Sequence, residues 1–270
     1  MDPTSRITTY LALAELAARW RTHGASAQGH WDGDDLTPFE LRVFSQNGED
    51  GVLEAILREV GVVSRTFVEF GAERGLEGNC VFLAEVLGWS GLFIEADETA
   101  FAVLESRYRD RPQVVTTCAA VTAANINDII EAAGLGGLID VLSIDIDSHD
   151  YWVWEALTVV EPTVVVIEYN AHIPYPEARV QPLHEPGPWQ GTDYFGASLG
   201  ALEYLANRKG YVLVHTDLAG VNAFFVRADR AGGLPINEAV PRRAPNFFLD
   251  GLGHPPDDSG RTWIDPRVGL

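Results

Sequence analysis

Cysteine is nearly absent from this chain: Cys80 and Cys118 are the two in 270 residues, and both sit in apolar stretches. A disulfide framework is thereby excluded as the basis of the fold, and reduced thiols in a cytoplasmic protein are expected. Basic residues are scarce as well, 19 Lys and Arg against 39 Asp and Glu, for a formal net charge of −20. A surface of that sign repels a phosphate backbone or an anionic membrane, so neither nucleic acid nor membrane is an expected partner. The acidic excess serves solubility at the least, and its sharper reading is a cationic small-molecule substrate. No run approaches 18 uninterrupted apolar residues, and no basic region precedes the first apolar positions, so neither a membrane span nor a secretion signal is expected. There is no internal repeat. What is present suffices for a packed core: 46% of residues are hydrophobic and 10% aromatic, in a chain long enough for one large α/β domain with additions.

The apolar pattern divides the chain into an N-terminal helix and loop over 1–40, a central domain over 41–228, and a Pro- and Gly-rich extension over 229–270. Ile7, Tyr10, Leu11, Leu13, Leu16, Ala17 and Trp20 recur at helical spacing behind Thr4 and Ser5, which can cap a helix ending near Gly24. Its apolar face can pack on its own domain, close an active site or pair two subunits, so a homodimer is among the expected assemblies. Residues 24–37, rich in Gly, Asp and His, read as a loop, and a helix is expected over 51–60. Strands then alternate with helices: strands near 66–70, 91–95, 113–117, 139–145 and 163–168, helices near 77–88, 98–109, 125–133, 151–159 and 196–208. This alternation predicts parallel strands with right-handed crossovers and ligand groups at the strands' C-terminal ends. Tyr211–Thr216 and Asn222–Arg227, separated by a turn-like spacer, are expected to pair antiparallel.

Within that pattern, Thr66–Phe70 ends in Glu69 and runs into Gly71-Ala72-Glu73-Arg74-Gly75, where two glycines allow backbone to approach a ligand closely. A second strand ends in Glu95, a carboxylate spaced to bind ribose hydroxyls. The middle glycine of the dinucleotide pattern GxGxxG is missing, which disfavours a nicotinamide-dependent oxidoreductase. A silent cofactor-binding scaffold is the other alternative.

Five ordered blocks, Ser45–Gly51, Val68–Ala72, Leu142–Trp152, Val165–Asn170 and Gly191–Leu199, resemble class I S-adenosylmethionine-dependent methyltransferases. The likeness is to the FkbM-type group, and especially to bacterial sequences carrying SQxGEDG, VEFGA, LSIDIDGNDYW, VVIEYN and GTDYFGASL. The resemblance covers roughly 43–227. It implies a Rossmann-like seven-stranded sheet, parallel with an antiparallel last strand and helices on both faces. It also implies that Glu69, Gly71 and Gly75 line the methionine and ribose of the cofactor, with Asp145 beside them. Glu95 would then hold the ribose, Gln46–Asp50 cover the methionine end, and Ala119 and Ala120 border the adenine. Two departures stand out: Arg74-Gly75 replaces the group's DG, and Ser148-His149-Asp150 replaces its GND, where methyl and acceptor should meet.

Methyl transfer from a sulfonium needs positioning and removal of the acceptor's proton. Asp145, Asp147, His149 and Asp150 follow one strand, and Glu168 with Asn170 ends the next. Asp147, Glu168 and Asn170 can hold Mg²⁺ through oxygen, as in catechol-type enzymes. Without metal, Asp147 and Glu168 can grip an amine or guanidinium. Asp147 and Asp150 can instead cap the following helix. His149, and less directly His172, are candidate bases, with Asp147 and Glu168 completing the catalytic set. Asp150, Tyr169, Asn170, Asp193 and Tyr194 are expected at the substrate, whereas Trp152 and Trp154 suit a core. The expected activity is methylation of O or N on a natural-product intermediate, a sugar, or a cationic amine or guanidine such as an arginine-like substrate.

Overall fold

The computed structural model describes residues 3–21, 33, 35–185, 189–247 and 252–268. Most of the loop expected over 24–37 lies outside these residues. Seven strands, β1 (Thr66–Phe70), β2 (Ser90–Glu95), β3 (Val114–Cys118), β4 (Gly137–Ile144), β5 (Val160–Glu168), β6 (Tyr211–Thr216) and β7 (Asn222–Arg227), form one sheet in the order β3-β2-β1-β4-β5-β7-β6. β1 to β5 pair in parallel, while β7, the last strand, runs antiparallel between β5 and β6. This is the Rossmann-like methyltransferase sheet that the sequence led us to expect.

Alternate residues of the central strands feed two cores. Val68, Phe70, Leu92, Ile94, Leu142, Ile144, Val165 and Ile167 point to one side, where Ile126 and Ile130 of α5 (Ile126–Ala132), α6 (Asp150–Ala156) and α7 (Leu199–Lys209) cover them. Phe67, Phe93, Val141, Val164 and Val166 point to the other, beneath α2 (Glu49–Val60), α3 (Val81–Glu85) and α4 (Glu98–Tyr108). Strands covered on both faces need apolar residues at nearly every position, and β5 carries Thr163-Val164-Val165-Val166-Ile167 for that reason. Tyr151, Trp152 and Trp154 are buried in the first of these cores. Caps define the helix ends: Asp97 accepts from the Ala100 amide to open α4, Ser198 does so from Ala201 to open α7, and Gly210, left-handed, closes α7.

Three expectations need correction. α1 (Pro3–Arg21) begins at Pro3, which places Thr4 and Ser5 inside its first turn rather than before it. α3 is shorter than 77–88 because the amides of Asn79 and Cys80 are committed to the Glu69 carboxylate. Cys118 is exposed at the end of β3, unlike Cys80. Of the roles open to α1, packing on its own domain is the one seen: Leu16 is fully buried and Trp20 lies edge-on to Trp89 at 5.9 Å, while Tyr10 and Leu11 face outward. Beyond β7, a 3₁₀ turn at Asn237–Ala239 and bridges from Ile264 to Val180 and from Phe247 to Leu252 are the regular features of an otherwise irregular, well-anchored tail. Among the described residues no helix is long and apolar enough to cross a membrane.

Candidate functional site

The C-terminal ends of β1, β2, β4 and β5, with the first residue of β7, open onto one cleft of about 690 Å³. Gly71 closes β1 at φ +69°, and a Cβ there would run into the Asp145 carbonyl oxygen; only glycine lets the ends of β1 and β4 lie this close. Glu69, two residues earlier, accepts the amides of Asn79 at 2.7 Å and Cys80 at 3.0 Å, and burial pushes its carboxyl up to about 7. Glu73 takes the place of the missing middle glycine in a left-handed conformation, φ +45°. Its amide donates to Glu95 Oε2, and the Asp97 amide donates to Oε1, both at 2.7 Å. Two fixed donors thus orient Glu95, whose remaining lone pairs are available at the cleft, beside Ala119.

The roof comes from the Gln46–Asp50 segment. Asp50 Oδ2 collects the amides of Val43, Phe44 and Ser45 and the Ser45 hydroxyl, a knot that shapes the turn carrying Gln46 over the cleft. Burial raises the Asp50 carboxyl to about 6. Gly51 follows because a Cβ there would strike the Phe39 carbonyl. Glu49 turns inward, its Oε2 accepting from the Asn47 amide and its Oε1 from Asn222 Nδ2 at 2.8 Å.

At the far end, carboxylate oxygens of Asp145, Asp147 and Glu168 lie within 4.8 Å of one another. Burial raises all three carboxyls, Asp145 and Glu168 well above the ordinary range and reinforced by the neighbouring acids. Glu168 Oε2 has no hydrogen-bond partner. Glu49, Glu69, Glu73, Glu77, Glu95, Asp97, Asp145, Asp147 and Glu168 line the cleft against Arg74 as its one basic residue among those described. Such a site is built for positive charge.

Gln46, Glu69, Gly71, Glu95, Ala119, Asp145, Asp147 and Glu168 therefore meet in the cleft as expected. Others do not. Gly75 backs onto Leu104 and Tyr108 of α4, and Ala120 lies beyond the wall, its carbonyl taken by Asn125. His149 turns its Nε2 to the Pro182 carbonyl at 3.3 Å, and burial lowers its pKa. Asp150, the first residue of α6, braces the β4–α6 loop by accepting the amides of Ile146 and Ser148, which is neither a substrate contact nor the expected cap, since no side chain caps α6. Tyr169 is buried in the core. Asn170 is removed from the metal set: its Nδ2 donates to the carbonyls of Asp193 and Phe195, and its Oδ1 faces the amide and Nδ1 of His172. The His172 Nε2 accepts the His254 amide, which leaves no ring nitrogen free for catalysis. Asp193 accepts the Asp257 amide, and the Tyr194 hydroxyl lies between Glu185 and the Thr262 carbonyl; both anchor the tail. Missed by sequence reading were, among others, Glu73, Glu77, Asn79, Asp97, Val221 and Asn222. The last two were findable, since inserting β7 beside β5 brings its first residue to the end of β5.

A larger cavity, about 800 Å³, lies between α1 and α2 at the opposite end of the sheet, beside Trp20, Arg65 and Trp89. It adjoins the starts of β1 and β2, where this architecture does not place ligands, and gathers no acid cluster.

No protein-family model and no curated protein matches the chain. Among solved structures, it is similar to the N-terminal domain of EvdMO1 in the presence of SAH and D-fucose, at 14% identity over 72% of this chain and 82% of that one, TM-score 0.40. It is also similar to an O-methyltransferase from Bacillus cereus in complex with SAH, at 19% identity, 61% and 66% coverage, TM-score 0.34. A third is the glycopeptide N-methyltransferase MtfA complexed with sinefungin, at 14% identity, 64% and 84% coverage, TM-score 0.37. Likeness at this level reaches neither the site nor the substrate.

Proposed function

We propose that this protein is an S-adenosylmethionine-dependent methyltransferase acting on O or N of a small molecule. The observation that carries the reading is Glu95, fixed by two backbone donors at the end of β2 and sharing one cleft with the Gly71 turn and the acids after β4 and β5. In this reading Glu95 accepts from the ribose hydroxyls and Ala119 borders the adenine. Gly71 and Asp145 flank the methionine beneath Gln46, and the acidic lining favours its positive charge. The cofactor supplies a sulfonium methyl for in-line displacement. The acceptor then belongs over β4, β5 and β7, where Asp147, with its raised carboxyl, takes the acceptor's proton as the bond from methyl to sulfur breaks.

Three carboxylates within 4.8 Å, one with an unpartnered oxygen, also fit a divalent cation. Asp145, Asp147 and Glu168, without Asn170, would hold Mg²⁺, which lowers the proton affinity of a bound acceptor oxygen. Against a nicotinamide enzyme stands Glu73, which holds the position of the pattern's middle glycine and carries a side chain there. Against a silent scaffold stands the cost of burying so many carboxyls with nothing to bind.

Calorimetric titration with S-adenosylmethionine, in Mg²⁺ and after chelation, tests this. Micromolar binding that Glu95→Ala weakens is expected; no heat from a demonstrably folded protein under either condition would sink the reading. Methyl transfer abolished by chelation would assign the acids to a metal.

A further inference from the structure

Glu168, the last residue of β5, stands directly opposite Asn222, the first residue of β7, in the antiparallel register. Opposed residues share a face of the sheet, and both line the acceptor end of the cleft. Asn222 is 4% exposed. Its backbone is held by Asp217, whose Oδ2 accepts the Asn222 amide at 2.7 Å. Its side-chain Nδ2 donates to Glu49 Oε1, and that bond fixes the amide's sense, because a flip would set oxygen against the Glu49 carboxylate. Oδ1 is left shielded from water without a partner, as is Glu168 Oε2. Two unpartnered acceptors on opposed residues, the Asn222 amide fixed by Glu49, suit a group with at least two donors. The lining sets its charge, since among the described residues Arg74 is the one basic group against the acids around it.

We propose that Glu168 and Asn222, with Glu49 holding the amide, form the subsite for a cationic nitrogen group of the acceptor, a protonated amine or guanidinium that donates to Glu168 Oε2 and Asn222 Oδ1 together. The proposal rests on the cleft's acceptor end as read above and narrows the substrate to a cationic nitrogen compound. A carboxylate beside an amide oxygen suits this group: the first supplies charge, the second a neutral acceptor that adds direction without repelling the first. A neutral alcohol can fill one acceptor but leaves the charge of the acids unanswered.

Butylguanidine, pentylamine, neutral butylurea and Mg²⁺ alone are titrated into the SAH-loaded protein and, separately, into the free protein. At least one of the two cations is expected to saturate the site and butylurea not to, and which cation binds tighter distinguishes guanidinium from amine. Asn222→Ala is expected to weaken the cation about fivefold, and the isosteric Glu168→Gln about tenfold, with SAH affinity changed less than about twofold. Thermal melts establish that both variants are folded; should Asn222→Ala fail to fold, Glu168→Gln alone decides. Cations that bind no better than butylurea, binding untouched by the substitutions, or Mg²⁺ binding that the substitutions weaken in place of cation binding would each overturn the subsite. Variant-sensitive cation binding without any SAH binding would leave the subsite standing and remove the methyltransferase reading instead.

Discussion

At Gly71, local backbone and tertiary contact make the same demand. A side chain there is strained by φ +69° and blocked by the Asp145 carbonyl, so relief requires the ends of β1 and β4 to part. Gly71→Ala is expected to cost about 2 kcal/mol or more, from left-handed strain plus the clash, and to abolish cofactor binding; chemical denaturation and titration read the two effects separately. Glu95 poses a different test, because its carboxylate both serves the cleft and satisfies the amides of Glu73 and Asp97. Glu95→Gln places an NH₂ against one of those donors while keeping the shape. Its S-adenosylmethionine affinity is expected to fall about tenfold or more, roughly 1.4 kcal/mol, with a melting temperature lowered only modestly. Unchanged affinity would remove Glu95 from the cofactor site. Asn170 shows the limit of reading residue types: an amide two positions after Glu168 looks like a metal ligand in sequence, yet all its hydrogen-bonding capacity is used in holding the 193–195 turn and His172.

Elements were more legible than side-chain directions. β6 and β7 fall at Tyr211–Thr216 and Asn222–Arg227 as expected, because a β-rich run on each side of a short turn admits few alternatives. The parallel pairing of β1 to β5 followed from alternation with helices. The loops after β4 and β5 were not legible, since spacing does not say whether a side chain turns into the cleft, as at Asp147, or away, as at His149. Nor could pattern foresee that the Gly191–Leu199 block serves the tail: Asp193 and Tyr194 bind the backbone at Asp257 and Thr262, residues more than 60 positions later. That assignment is testable. Tyr194→Phe removes the hydroxyl that bridges Glu185 and Thr262, so proteolysis within 255–268 is expected to quicken severalfold while S-adenosylmethionine affinity holds. Loss of methyl transfer with no change in proteolysis would return Tyr194 to the substrate. At the other end of the chain, Leu16→Ala empties a fully buried site between α1 and the domain. It is expected to cost about 2–5 kcal/mol by denaturation without altering the cleft.

For the whole molecule, the buried acids set a pH dependence with one sign. Burial raises Glu69 to about 7 and Asp217 to about 8, Asp217 also feeling Glu49, and holds Asp145 and Glu168 well above the usual range. A carboxyl with a raised folded-state pKa stays protonated in the folded chain where the unfolded chain has already released its proton. Stability from these groups is therefore present at low pH and is lost as pH rises from their ordinary range, near 4, through the folded values. The histidines work oppositely: burial lowers His149, His172 and His254, so their contribution grows as pH rises through about 6.5 and is level above it. Between pH 7 and 8.8 the acids act without that opposition, and the formal charge of −20 adds its own repulsion in the same direction. The ligand-free protein is expected to melt about 5 °C or more lower at pH 8.8 than at pH 7, since each kcal/mol moves a chain of this size by roughly 2–4 °C. A cation seated in the cleft answers the charge that deprotonation exposes, so S-adenosylmethionine or the amine that fills the Glu168–Asn222 subsite should raise the melting temperature more at pH 8.8 than at pH 7. A ligand-free melting temperature that stays level or climbs across this interval would mean that the buried carboxyls are already ionised at pH 7, and the cleft would then have to hold a cation from the start.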